Sequence, residues 1–495
     1  MKPNGAKTCQ NEEPSSNSSF SRRLRRFFRP WWVRLICGVA ILVSVTSFVN
    51  DWRWERKWAA YEREARGRGV KILLPEYRPA PVADDENFAA TPFWKEVFAQ
   101  GSNSRRQAKL TSVKLPPKTS ETVKSNARPP QRNLAHWRAG LASAKGSAKS
   151  DPSISDAEAV LKGLEFLQPE LDELREGTKR PYCVFPLKHE DGAAMELPHY
   201  TSFRAAERVF SVRSYARLLN GDGAGALDDL KTLFALAEKL DTEPTMIAGL
   251  VQISIGAHAH RNIADGLDAG RWSEAELREI TTLTGRVNAV RRYAFAIQSE
   301  RAFMNSLFSS YMENRRMSVN SDLGTRAQDF YLSGRSYVRR NQIWINSFFD
   351  EELTTWNVEE RRWEQKPRTY SPLKLKLSFD AYFYIQAAMF TPVYEMSGNK
   401  FLEAQANSSM SVIACALERH KMSRGSYPEK LDALMPDFLT TTPLDPCNGE
   451  SFHYSISPDG YLLYSVGINL KDDGGALAVD EYDTSPDWRW WSPRR

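Results

Sequence analysis

The chain has 495 residues and carries 67 lysines and arginines against 61 aspartates and glutamates, a net charge of +6. At 41% hydrophobic and 11% aromatic residues it has ample material for packed cores, which excludes an intrinsically disordered chain. Eight basic and two acidic residues fall within residues 1–34, so the whole excess lies there and residues 35–495 are neutral; the basicity is a local flank and gives no support for nucleic-acid binding.

Residues 1–20 are rich in Asn, Ser, Glu and Gln, and with the arginines that follow they form an expected disordered basic tail over residues 1–30. From Leu35 to Val49 runs an uncharged stretch of fifteen residues, LICGVAILVSVTSFV. A spanning helix needs ~20 predominantly apolar residues. Adding Trp31, Trp32 and Val33, with Arg34 reaching back to the headgroups, supplies the length. Trp31 and Trp32 on one side and Trp52 and Trp54 on the other sit where interfacial tryptophans belong. Residues 31–50 are therefore expected to cross a membrane once. The cationic flank keeps the N-terminus cytoplasmic and puts about 440 residues outside. The rival reading, a cleaved signal peptide, lacks a small-residue cleavage site, because Asn50-Asp51-Trp52 follows the apolar run.

Cys9, Cys37, Cys183, Cys415 and Cys447 form no CxxC and no zinc spacing. Only Cys183, Cys415 and Cys447 would lie outside; spacing assigns no disulfide among them, and three free cysteines are expected.

Beyond the membrane, Trp54, Trp58 and Tyr61 fall at i, i+4 and i+7, so the helix should continue to about Arg68, where Gly69 stops it. Pro75, Pro79 and Pro81 then forbid a helix and give a surface connector, closing a juxtamembrane segment over residues 51–100. Residues 101–150 are poor in apolar side chains and read as a solvated linker.

Residues 151–400 read as a helical domain. Ala205, Val209, Val212, Ala216 and Leu219 step by four and three onto one face, and Leu230, Leu233, Ala237 and Leu240 repeat the pattern after an Asn220-Gly221-Asp222 break. Ser273 with Glu276 forms a capping box, and the helix it starts is expected to run to Met312. Aromatic-rich helical pieces are expected around Tyr337–Phe349 and Leu375–Phe390. The phrase LLNGDGAGALDDLKTLFALAEKL is similar to tetratricopeptide-type helical hairpins, which implies a helical array offering a groove to a partner; an irregular bundle is the equal alternative. Gly221, Gly223 and Gly225 lie between helices rather than after a strand, so they are a turn and no dinucleotide loop. His258 and His260 point about 200° apart on a helix and cannot share a metal.

In the last hundred residues a helix carrying Met410, Ile413, Ala414 and Leu417 ends near Gly425, followed by a short helix between Tyr427 and Pro436. Two alternating runs, Phe452–Ile456 and Tyr461–Val466, flank Pro458-Asp459-Gly460 and read as a β-hairpin. The ordered set YP–L–L–P, P–DP–G, DG–LYSVG and DDGG resembles the globular domain of the major pseudopilin of type II secretion systems. The resemblance implies a long helix packed on a small antiparallel sheet over residues 401–495. It also implies a loop that binds Ca²⁺ through Asn469, Asp472 and Asp473, with backbone carbonyls, Asp480 or water completing the shell. The membrane segment lies about 350 residues upstream with no prepilin cleavage site before it, so fibre assembly is not implied. The order of the whole chain looks similar to that of bacterial inner-membrane-anchored proteins without a known activity, so the likeness implies none. The tail DWRWWSPRR is expected to pack its tryptophans on the small domain.

The chain is thus expected to be mainly α, with one N-terminal transmembrane helix, an irregular or tetratricopeptide-like helical body and a small α+β C-terminal domain. No GxSxG, HExxH or Walker loop supplies a reactive site. The expected function is that of a membrane-anchored extracytoplasmic interaction or envelope-assembly protein, with the bilayer and another protein as partners. The alternative is an envelope hydrolase using Glu190 and Asp191 beside His189, in a loop that reads first as a surface excursion. Buried carboxylates converging on a pocket would favour the enzyme.

Overall fold

A computed structural model of the chain describes residues 31–113, 132–142, 153–314, 334–367, 369–370, 384–457, 460–476 and 487–490. Outside them lie the expected tail, residues 375–383 of the second aromatic piece, Pro458 and Asp459 of the hairpin turn, Asp480 and Trp491. Two compact units are present: Met1–Tyr61 with Ser321–Arg340, and Glu62–Asn320 with Asn341–Arg495.

The first unit is dominated by α1, Trp31–Gly67, which crosses into the second unit after Tyr61. It is a helix long and apolar enough to cross a membrane. Over residues 35–49 most of its apolar side chains stand bare, with Ile41 65% and Phe48 72% exposed. The polar side chains within this run turn back on the helix, the hydroxyls of Ser44 and Thr46 donating to the carbonyls of Ala40 and Leu42 at 2.8 and 2.9 Å. Such back-bonding satisfies a hydroxyl where no water is present. Further along, Trp58 stacks on Tyr61, Arg339 lies over Trp58 and pairs with Glu55 at 3.1 Å, and Arg340 lies over Trp54.

In the second unit α1 ends as the sequence predicts: Gly69 takes a positive φ of 79°, and the Val70 amide donates back to Ala65. The stretch expected to be a linker carries ordered helices. After α2 (Pro92–Gln100), Ser104 caps α3 (Arg105–Thr111), and α4 spans Leu134–Ala142. Among the described residues there, Leu110, Val113, Leu134 and Leu141 are buried and Trp137 is half-buried; composition outvoted them in the sequence. Helices α5 (Asp156–Leu164) and α6 (Gln168–Gly177) complete this layer. Trp94 of α2 stacks on Phe203 of α7 (His199–Leu219), with ring centroids 5.0 Å apart.

Helix α7 is the axis of the unit. The predicted face is buried, except Leu219, which is 37% exposed, but the remaining faces are largely buried too. A helix enclosed on nearly every side must satisfy its polar residues internally. Arg213 reaches Asp229 of α8 (Gly223–Glu238) at 2.6 Å, and Ser214 donates to the Ala226 carbonyl. Asp229, wholly buried, also receives Arg175 at 2.7 Å and Arg217 at 3.0 Å. The turn between α7 and α8 is Asn220-Gly221-Asp222, with Gly221 at φ 81° and Asp222 capping the Gly225 amide at 2.8 Å.

Helix α9 (Met246–Asp268) packs on both α7 and α8. Trp272 folds under its end so closely that a Cβ on Gly266 would lie 2.0 Å from the indole nitrogen. The expected capping box opens α10 (Glu274–Gly285). The expectation of one helix to Met312 is corrected: the chain breaks at residues 286–288 and restarts as α11 (Ala289–Asn314). Asn288 makes the break by accepting the Arg291 amide at 2.9 Å and donating to the Val358 carbonyl at 3.1 Å.

Helix α12 (Arg335–Thr354) covers the first aromatic piece, and β1 (Trp356–Asn357) pairs with β2 (Arg362–Trp363). Helix α13 (Ile385–Arg424) starts well before the Phe401 where the sequence began it, continues through Pro392, and ends at Gly425 with φ 81°. It packs against α9, α10 and α11. The short second helix is a single 3₁₀ turn, Leu431–Leu434. Beyond it β3 (His453–Ser457), β4 (Gly460–Ser465) and β5 (Trp488–Arg489) form an antiparallel sheet in that order, with Ile456 opposite Tyr461. Trp490 is buried and its amide donates to the Leu463 carbonyl. Cys183, Cys415 and Cys447 are all free thiols, and burial pushes the Cys415 thiol up to about 12.

Candidate functional site

The residues expected to hold calcium lie in the loop after β4. Asn469 turns its amide nitrogen to Asp473 at 2.8 Å while its oxygen accepts the Lys471 amide. Asp472 accepts the Tyr464 hydroxyl and the Gly474 amide, both at 2.9 Å, and these hold its carboxyl below the usual range. Asp487, which the sequence did not mark, is buried and closes the loop by accepting the amides of Asp473 and Gly475 at 3.0 and 2.7 Å. Calcium needs six to eight converging oxygens. Here one donor offers nitrogen and the carboxylates serve the loop's own hydrogens, so the side chains as they stand do not fit a calcium shell. Among the described residues no set of three or more His, Cys, Asp or Glu side chains is gathered to hold a metal.

The residues of the hydrolase alternative stand apart. Glu190 and Asp191 are exposed, Glu190 pairing with Arg78. His189 is buried beneath them, donating from Nδ1 to the Leu187 carbonyl at 3.2 Å.

The sequence missed a buried polar cluster. His199 donates from Nε2 to Glu243 at 3.0 Å, the Tyr200 hydroxyl donates to the same carboxylate, and Arg292 donates to the carbonyls of Glu243 and Thr245. Glu300 accepts the Met246 amide at 2.7 Å and the Tyr394 hydroxyl at 3.2 Å. Burial raises the Glu300 carboxyl above its ordinary range. These groups tie the start of α9 to α7, α11 and α13. The cluster reads as an internal brace, and its Arg292 also lines a cavity.

That cavity is a partly enclosed site in the second unit. It measures about 310 Å³ and lies between α8, α9, α11 and α13, and its exposed lining residues, Glu238, Ala257, Arg286 and Arg291, mark its mouth. It exists because the helices present small residues to one another: Ala237, Gly256, Ala257, Ala289 and Ala404 all border it. At Gly256 an added Cβ would meet nothing within 4 Å. At the floor, His260 is buried against Phe234, and its Nδ1 lies 2.9 Å from the Ser411 hydroxyl. Burial lowers the imidazole to about 4, so it is neutral at physiological pH. His258 lies elsewhere, bonded to the Ser254 carbonyl at 3.0 Å and 3.9 Å from Glu207, in keeping with two histidines that share no ligand.

A second, more open cavity of about 650 Å³ lies between α10, α13 and residues 436–444. Its arginines are already committed, Arg419 to Glu274 and the Phe438 carbonyl, Arg361 to the carbonyls of Gly285 and Val287.

No protein-family model, curated protein or solved structure matches the chain. The reading of function therefore rests on the geometry. The cavity brings together a largely apolar lining, a neutral imidazole and a charged mouth, a composition suited to holding a ligand.

Proposed function

We propose that the protein is a single-pass, membrane-anchored interaction protein of the bacterial envelope, with its N-terminus cytoplasmic and its helical body outside, and that it works by binding rather than by chemistry. The observation that carries this reading is the bare apolar surface of α1, set between a cationic tail and a neutral remainder. The successive packing of α7, α8 and α9 is in keeping with the tetratricopeptide-like reading and a protein partner. A long helix followed by a small antiparallel sheet supports the pseudopilin-like reading of the C-terminal region.

The test is a pair of reporters fused after residue 495, one active only when exported and one fluorescent only in the cytosol, with in-cell crosslinking of the exported body. Activity of the first, with a discrete crosslinked protein, supports the proposal. Fluorescence of the second would overturn orientation and compartment together.

A further inference from the structure

The mouth of the cavity between α8, α9, α11 and α13 carries charges of both signs. Glu238 and Arg286 are exposed there. They sense each other electrostatically, since Arg286 acts to lower the Glu238 carboxyl, yet they form no ion pair within 4 Å. Asp241, close enough to raise Glu238, is occupied by Gln252 and lies 3.6 Å from Arg291. A plain anion entering here would meet two carboxylates, and a plain cation would meet the arginines. A molecule bearing both signs would meet a partner for each.

The interior adds a second requirement. Much of its lining is apolar, but polar groups face inward too: Gln252 Oε1 and Arg292 Nε and Nη1 are buried without a hydrogen-bond partner among the described residues. The Asn407 side-chain amide borders the cavity without a hydrogen bond to any described residue. His260, held at Nδ1 by Ser411, also lines the space. A body of roughly ten heavy atoms fits 310 Å³ with room for water.

We propose that this cavity binds a zwitterionic α-amino acid with an apolar side chain, its carboxylate at Arg286, its ammonium at Glu238, and its side chain between Gly256 and Phe234. This goes beyond the interaction role proposed above, and it stands or falls without any protein partner.

The test is calorimetric titration of the detergent-solubilised full-length protein with L-leucine and L-phenylalanine. The comparison compounds are 4-methylpentanoate, which lacks the ammonium, and isoamylamine, which lacks the carboxylate. At least one amino acid should bind, with both single-charge analogues weaker by about tenfold or more. Gly256→Phe should abolish binding by filling the space, while Gly256→Ala, which leaves most of it open, should retain binding and shows that position 256 tolerates a side chain. Arg286→Gln should weaken the amino acid but not isoamylamine, and Glu238→Gln should weaken the amino acid but not 4-methylpentanoate. Absence of binding by both amino acids, equal binding of the single-charge analogues, or undiminished binding to a folded Gly256→Phe protein would each overturn the proposal.

Discussion

Replacing Asp229 by alanine tests how the second unit is held together. The carboxylate is wholly buried and accepts Arg213 at 2.6 and 3.0 Å, Arg175 at 2.7 Å and Arg217 at 3.0 Å. Without it, the Arg175 and Arg217 side chains, 25% and 20% exposed, can swing toward water, whereas Arg213, at 3%, cannot. One stranded guanidinium with no counter-charge costs about 3–5 kcal/mol. Arg175→Ala should cost only about 1 kcal/mol, because a half-solvated partner is lost while two remain. Urea-dependent pulse proteolysis of the detergent-purified protein measures both, and hydrogen exchange over α7 and α8 localises the effect. If Asp229→Ala fell within about 1 kcal/mol of the parent, the three-arginine hub would not be a structural determinant and the reasoning would fail.

Glu207 offers a test in pH. Burial keeps its carboxyl neutral up to about 7, against 4.5 for the ordinary group, with Ser254 donating to it at 3.2 Å. The unfolded chain ionises first, so stability is lost as pH rises from about 4.5 to about 7 and stays lost above that. Glu207→Gln should therefore match the parent at pH 4 and exceed it at pH 8, by up to ~3 kcal/mol in thermal or urea melts, less whatever nearby Arg204 and Arg208 return. Gly425→Ala, at φ 81° where α13 ends, should destabilise by about 1 kcal/mol, while Gly256→Ala, in open space on a helix, should stabilise by about 0.5–1 kcal/mol. Because the 469–475 loop is closed by its own hydrogen bonds, thermal melts with Ca²⁺ and with a chelator should coincide. A shift on adding Ca²⁺ would show that Asp472 and Asp473 release the Tyr464 hydroxyl and the Asn469 amide to bind it.

Much of the helical architecture was legible because it is written in spacing. The apolar steps of α7, the Ser273–Glu276 box and the glycine stop after α1 are local signals, and each is found where the pattern puts it. The break between α10 and α11 was missed although Gly285 ends α10 and Asn288 caps α11, because the apolar pattern continues across it and Asn288 is also fixed by donating to a carbonyl seventy residues away. The early start of α13 was hidden by Pro392, a residue that normally ends a helical reading. The cavity left no trace in the sequence for a related reason. It is made by alanines and a glycine from four separate helices, and small residues mark empty space only once the helices are packed. The brace of His199, Glu243 and Arg292 likewise joins positions far apart in the chain.

The sheet at the end of the second unit takes its last strand from Trp488 and Arg489, which hydrogen-bond along β4 and bring Trp490 into the core. A chain cut short by proteolysis or by premature release from the ribosome before residue 487 would leave that border of β4 unsatisfied and its hydrophobic floor open. Residues 488–490 therefore act as a latch, and a chain cleaved before them carries an unpaired edge at β4 open to pairing with another strand.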